Sequence, residues 1–226
     1  MRKIKRSMKK IKKKAILFDL DGTLIDSSEG ITKSAQYALR HYGIEESDLK
    51  KLYRFIGPPL ADSFEKWYGF SRAQAVEAVD VFRERYQSIG YLECELYPDT
   101  GKVLESLKQM GYFLGVATSK PEVTARIILK DKGVDCYFDA ICGATMDGRI
   151  EKKADVIREL LKREPDYAIS DMILVGDTAF DMQGANLLGM DSVAVSFGFG
   201  DVAEMKEAGA LDVLDSMNML LEYVKR

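Results

Sequence analysis

The chain has 226 residues, 46% hydrophobic and 31% charged, enough for one large core with a smaller insert. Its single histidine, His41, excludes a histidine-rich zinc site, and three cysteines (Cys94, Cys136, Cys142) without a Cys-x-x-Cys pair argue against a disulfide framework. No apolar run is long enough to span a bilayer and no signal-peptide pattern is present, so the expected location is the cytoplasm.

Residues 1–14 hold nine Lys/Arg and no acid, and read as a solvated, disordered basic tail. The remainder carries 24 basic against 36 acidic side chains and shows no basic face, so nucleic acid is not an expected partner. The apolar run Ala15-Ile16-Leu17-Phe18, ending in Asp19, predicts a buried parallel strand. Residues 29–93 then offer no good strand. Ile31, Ala35, Ala38 and Leu39 recur at helical spacing, and Gly57-Pro58-Pro59 breaks the pattern. Ser71-Arg72-Ala73-Gln74 is a capping box opening a helix that carries Val76, Val79, Phe82 and Tyr86. His41 lies in the last turn of a helix closed by Gly43, where the helix dipole favours a cation, so its role reads as structural or surface.

Beyond this segment the pattern alternates. Apolar runs at Phe113–Ala117, Ala140–Cys142, Met172–Gly176 and Ser192–Val195 are separated by helical patterns at 100–110, 121–132, 154–162 and 181–188. Strands that are apolar almost throughout, alternating with helices, predict an α/β fold: a Rossmann-like, doubly wound parallel sheet covered on both faces. The expected organisation is a basic tail (1–14), an α/β core (15–28 and 94–226) and an inserted all-helical cap (29–93).

Acids and hydroxyls cluster just after the predicted strands, where open parallel sheets bind ligands. Asp19-Leu20-Asp21-Gly22-Thr23 follows the first strand. Two carboxylates spaced i, i+2 before a glycine turn can converge on one small space, one attacking and the other moving a proton. Thr118-Ser119-Lys120-Pro121 reads equally as an ordinary Ser/Thr cap or as a phosphate cradle at a helix start. Lys152-Lys153 precedes a helix, where the dipole disfavours a lysine unless it faces an anion, and one of the two reads equally as a surface lysine. Gly176-Asp177-Thr178-Ala179-Phe180-Asp181 places two carboxylates four residues apart at a strand-to-helix junction. That suits a hard cation such as Mg²⁺, as it also suits a helix cap.

Taken in this order, the four clusters resemble the haloacid dehalogenase (HAD) superfamily over most of residues 15–200. Within it, Asp21-Gly22-Thr23-Leu24-Ile25-Asp26-Ser27, Val175-Gly176-Asp177 and the helical insert resemble the phosphoglycolate phosphatase-like branch. The resemblance implies a Mg²⁺-dependent phosphatase acting on a small phosphorylated metabolite through an aspartyl-phosphate. It assigns Asp19 as nucleophile and metal ligand, and Asp21 as acid/base whose main-chain carbonyl also ligates Mg²⁺. Asp177 and Asp181 complete the metal site, Thr118, Ser119 and Gly22 bind phosphate, and Lys153, rather than Lys152, stabilises the phosphoryl charge. The insert corresponds to a cap, with Phe55–Leu60 as the element to inspect first, whereas Arg54, Lys66 and Trp67 read as surface or packing.

Alternatives within the superfamily are a nucleotidase and a sugar-phosphate phosphatase or mutase. Mutases usually carry a histidine soon after the first acid pair, and residues 24–34 have none. Dehalogenases generally lack the acid found here at Asp21. A non-catalytic phosphate-binding module and a receiver domain are the readings from other classes. A receiver would be shorter, without a helical insert, and would accept phosphate near the middle of the chain. No membrane partner is expected, and the assembly is left at monomer or homodimer.

Overall fold

The computed structural model describes residues 13–147, 149–164 and 166–225. The chain opens with β1 (Ala15–Phe18) and the short β2 (Ile25–Asp26). A helical segment follows: α1 (Ser28–His41), a 3-10 stretch at Leu49–Phe55, α2 (Leu60–Tyr68) and α3 (Arg72–Ser88). The chain then alternates through β3 (Glu95–Leu96), α4 (Thr100–Gln109), β4 (Phe113–Pro121), α5 (Glu122–Asp131) and β5 (Ala140–Ala144). It ends with α6 (Lys153–Arg163), β6 (Met172–Gly176), α7 (Ala179–Asn186), β7 (Asp191–Val195), α8 (Val202–Glu207), β8 (Val213–Leu214) and α9 (Met217–Tyr223).

Six strands form a parallel sheet in the order β5-β4-β1-β6-β7-β8. The chain leaves β1 first toward β4 and β5, then returns to build β6, β7 and β8 on the other side. β1 is therefore the switch point, and the crevice for ligands lies outside its carboxyl end. The strands are buried on both faces because alternate residues serve different helices. Ile16 and Phe18 belong to a core with Leu104 and Leu107 of α4, Ile128 and Leu129 of α5, and Leu220 of α9. Ala15 and Leu17 point to the opposite core, with Val156, Ile157 and Leu160 of α6 and Ala185 of α7.

The helical segment has a core of its own. Ile31, Ala35, Ala38 and Leu39 of α1 pack with Phe55, with Phe64 of α2, and with Val79 and Phe82 of α3. Ser71 caps α3 in the expected box with Gln74. Val76 departs from the expected pattern and is exposed, one position around the helix from buried Ala75. His41 closes α1 on the surface, ahead of Gly43 at φ +73°.

The chain enters and leaves this segment side by side. β2 and β3 pair antiparallel, Ile25 opposite Leu96 and Asp26 opposite Glu95. Just beyond, Gly30 and Gly90 touch so closely that a Cβ on Gly30 would lie 1.9 Å from the Gly90 carbonyl oxygen. Arg85 holds Glu93 through both guanidinium nitrogens at 2.8 and 2.9 Å.

The tail was expected to run through residue 14, and residues 1–12 lie outside the described residues. Lys13 and Lys14 do not belong to a free arm. Lys13 pairs with Asp191 at 2.6 Å, at the start of β7, and Lys14 with Asp171 at 2.8 Å, just before β6. Among the described residues, no helix is long and apolar enough to cross a membrane.

Candidate active site

Asp19 follows β1, and its N–H bonds the Val175 carbonyl of β6 at 2.9 Å. The chain then folds back in a tight loop, with Leu24 and Ile25 N–H groups both reaching the Leu20 carbonyl. Gly22 takes φ +81°, a left-handed conformation that glycine reaches without strain. A Cβ there would lie 2.0 Å from Asp177 Oδ2, so glycine also lets the loop close onto the next acid. Thr23 Oγ1 donates to Asp177 Oδ1 at 3.3 Å.

Asp177 stands at the end of β6 and is fully buried. Its Oδ2 accepts from the Phe199 N–H at 2.9 Å. Gly198 permits this approach, since a Cβ there would lie 2.3 Å from Asp177 Cβ. Asp181, in the first turn of α7, takes Thr178 N–H and Oγ1–H on Oδ2 at 3.0 and 2.8 Å, which leaves Oδ1 for the site.

Lys153 begins α6 with its side chain 5% exposed. Its ammonium lies 2.6 Å from Asp19 Oδ1 and 2.8 Å from Asp181 Oδ1, and donates to the Ala117 carbonyl at 2.8 Å. These partners offset the cost of a cation at a helix start. Burial alone would lower the lysine's pKa, but the two carboxylates outweigh it and raise it. Lys152 caps the same helix and is exposed, so the adjacent pair divides into one surface lysine and one inside the site.

One carboxylate oxygen from each of Asp19, Asp177 and Asp181 lies within 4.8 Å of the others. Burial pushes the Asp19 carboxyl up to about 6, with Lys153 pulling against it and Asp181 adding to it. Burial, then Asp181 and Asp19, raises Asp177 well above the usual carboxylate range. Asp19 Oδ1 is buried without a well-directed hydrogen bond. One lysine among three acids leaves excess negative charge in a buried space, which is costly unless a further cation neutralises it. An all-oxygen donor set suits Mg²⁺. The residues present therefore fit the expected ion.

The other predicted residues divide. Thr118 is buried, and its Oγ1 accepts from the Lys120 N–H at 3.1 Å. Ser119 is exposed and is not at a helix start: β4 runs on to Pro121, with a register shift against β5 between Thr118 and Pro121, and α5 begins only at Glu122. The Gly22 N–H is spent on the Ile25 carbonyl at 2.8 Å, so Gly22 shapes the turn rather than offering a free donor. Asp21 stands outside the carboxylate trio, with Oδ2 paired to Lys120 at 2.9 Å.

Sequence reasoning did not single out Lys120 and the Phe199 N–H. The Gly198-Phe199-Gly200 run after a strand was the available signal for the second. Three points of the helical segment touch this end of the sheet. Tyr86 meets Lys120, Gly57 lies beside the Thr178 methyl, and the Tyr53 ring packs edge-on against Phe199 with centroids 6.0 Å apart. Arg54 and Lys66 instead stack on Trp67, each 4.6 Å from the ring centroid.

Residues 16–195 match the family of haloacid dehalogenase-like hydrolases, and the chain belongs to that family. It is an enzyme of the phosphatase kind within it. It is 44% identical over 191 residues to a 5′-nucleotidase of Pseudomonas aeruginosa, covering 84% of this chain and 86% of that protein. It is 37% identical over 187 residues to the tyrosine-protein kinase PtkA of Mycobacterium tuberculosis, covering 82% of this chain but 62% of that protein. A crystal structure of a predicted phosphatase from Clostridium acetobutylicum superposes with a TM-score of 0.89 at 40% identity, covering 94% of this chain and 98% of that one.

Proposed function

We propose that this protein is a Mg²⁺-dependent phosphatase that hydrolyses small phosphate monoesters through an aspartyl-phosphate on Asp19. The observation that carries the reading is the convergence of Asp19, Asp177, Asp181 and Lys153 at the switch point of the sheet. In the first half-reaction a carboxylate oxygen of Asp19 forms a bond to phosphorus as the bond to the leaving oxygen breaks. Asp21 gives that oxygen its proton. In the second half, water attacks the phosphoryl group, Asp21 takes a proton from it, and the Asp19–phosphorus bond breaks.

A carboxylate meeting a phosphate dianion faces like-charge repulsion, and the Lys153 ammonium beside Asp19 offsets part of it. The carboxylates of Asp19 and Asp177, backed by Asp181 and the Asp21 main-chain carbonyl, would hold Mg²⁺. The ion's chemistry is charge neutralisation on the transferring phosphoryl group. The buried Thr118 hydroxyl, within β4 just before its register shift, is the phosphate-binding side chain. The helical segment acts as a cap that excludes water while Asp19 attacks.

The name of the 44%-identical relative favours a nucleoside 5′-monophosphate as substrate over the phosphoglycolate suggested by the sequence resemblance. A phosphate-release screen over nucleoside monophosphates, phosphoglycolate and sugar phosphates tests both. The expected result is turnover with Mg²⁺, loss with a chelator, and loss in Asp19→Asn. Absence of turnover on every ester would leave a binding module, and full activity in Asp19→Asn would refute the mechanism.

A further inference from the structure

The end of β4 carries a buried cation that the proposed reaction does not employ. Lys120 has 5% of its side chain exposed. Its ammonium lies 2.9 Å from Asp21 Oδ2 and donates to the Tyr86 hydroxyl, 4.9 Å from the centroid of that ring. A lysine is taken out of water at this cost only where its charge is matched.

Several local features hold it there. The register shift between Thr118 and Pro121 turns the strand, and a bulge of this kind re-aims a side chain beside a site. The Lys120 N–H, bonded to Thr118 Oγ1, fixes the turn. Gly143 of β5 makes room for it, since a Cβ there would lie 2.5 Å from the Lys120 carbonyl oxygen and 2.7 Å from the Glu122 backbone. Tyr86 is equally constrained. It stacks on Phe82 with centroids 5.3 Å apart, and a Cβ on Gly90 would come within 3.0 Å of its ring.

A carboxyl group has two oxygens, and a general acid must present the correct one. Lys120 occupies Asp21 Oδ2, whereas Oδ1 is buried and has no hydrogen-bond partner. We propose that Lys120 and Tyr86 are positioning residues that pin Asp21 by Oδ2, leaving Oδ1 as the oxygen that moves the proton. This rests on the phosphatase reading above. In the first half-reaction the proton leaves Oδ1 for the departing oxygen as the phosphorus–oxygen bond breaks. In the second, Oδ1 takes a proton from the attacking water as the bond to Asp19 breaks. Because Tyr86 belongs to α3, the orientation of Asp21 is complete only while the helical segment sits against the end of β4.

The test compares two phosphate esters, adenosine 5′-monophosphate and p-nitrophenyl phosphate, in full-length protein with Mg²⁺. The first has a poor alkoxide leaving group that needs its proton; the second has a good leaving group that scarcely does. The readout is kcat/KM, which reports the steps up to the first irreversible one. Lys120→Met is expected to lose on the order of 100-fold on the nucleotide and less than about tenfold on the aryl ester. Lys120→Arg should recover the nucleotide activity to within about tenfold, and Tyr86→Phe should lose about tenfold on the nucleotide with little change on the aryl ester. Thermal melts report folding, and if Lys120→Met does not fold, Tyr86→Phe carries the comparison. Equal losses on the two esters, or no loss in either variant, would overturn the positioning role. If the wild-type protein hydrolyses neither of these esters nor any other in the panel above, the phosphatase reading falls and this inference falls with it; where it hydrolyses another alkyl ester of that panel, that ester replaces the nucleotide in the comparison.

Discussion

The sheet end and the helical segment are built on opposite principles. Around Asp19, Asp177, Asp181 and Lys153 the molecule buries charge on charge, and raises two of the carboxyl pKa values as a result. Among the described residues between 28 and 92, the buried polar side chains are only Thr32, Ser34 and Ser63, and the rest of that interior is apolar. Thr32 and Ser34 satisfy their hydroxyls on carbonyls one turn earlier, and Ser63 does so on the Arg54 carbonyl. The helical segment thus spends its burial on holding its own shape. The sheet end gives up stability to keep like charges together, as a site must if it is to hold a cation and a phosphate.

That contrast can be broken at its strongest point first. Asp19→Asn should reduce phosphate release by at least about 10³-fold, because the nucleophile is lost. The same change should raise the melting temperature in chelator, since it removes a carboxylate that burial disfavours. A variant that lost stability along with activity would show Asp19 to be a structural acid. The helical segment should answer in the reverse sense. Phe64 is fully buried against Phe55 and Phe70, so Phe64→Ala should cost about 3–5 kcal/mol by chemical denaturation. A cost under about 1 kcal/mol would mean that this interior is not packed as described.

Gly22→Ala sharpens the boundary between the two regions. It adds a methyl into Asp177 at a left-handed backbone position, so a loss of about 1–3 kcal/mol is expected together with a fall in activity. Retention of both would contradict the close approach of the loop to Asp177.

The smallest effect is in pH dependence. The folded-state value of Asp19, about 6, lies above its ordinary value of 3.8, so the folded state holds this proton longer than the unfolded chain. Stability contributed by the protonated form is complete below the unfolded value and is lost as pH rises toward the folded one. In chelator, the melting-temperature advantage of Asp19→Asn over wild type should therefore grow between about pH 4 and pH 6 and level off above. An advantage that is flat or shrinks across that window would remove the electrostatic account.

Much of this was legible in the chain, and what was not has physical reasons. The apolar runs leading to Asp19, Thr118 and Asp177 announced central strands because both faces of a parallel sheet are covered. β2, β3 and β8 span two residues each, too short for any periodicity to appear, and their pairing depends on where distant segments bring the chain. The end of β4 was read as a helix start because Ser, Thr and Pro also mark caps. The strand runs on instead, because Gly143 on the neighbouring strand accommodates the turn at Lys120. Lys120 was therefore visible as a residue but not as a partner of Asp21. Lys153 was distinguishable from Lys152 only through the resemblance. The structure separates them by burial, with one ammonium between two carboxylates and the other on the surface.

Borohydride trapping during turnover, followed by peptide mass spectrometry, bears most directly on the central claim. Reduction of an acyl phosphate converts the modified aspartate to homoserine. With Mg²⁺ and a hydrolysable ester, the account predicts homoserine at position 19, no such product in chelator, and none in Asp19→Asn. Homoserine at another position, or wild-type turnover without any reducible intermediate, would contradict it.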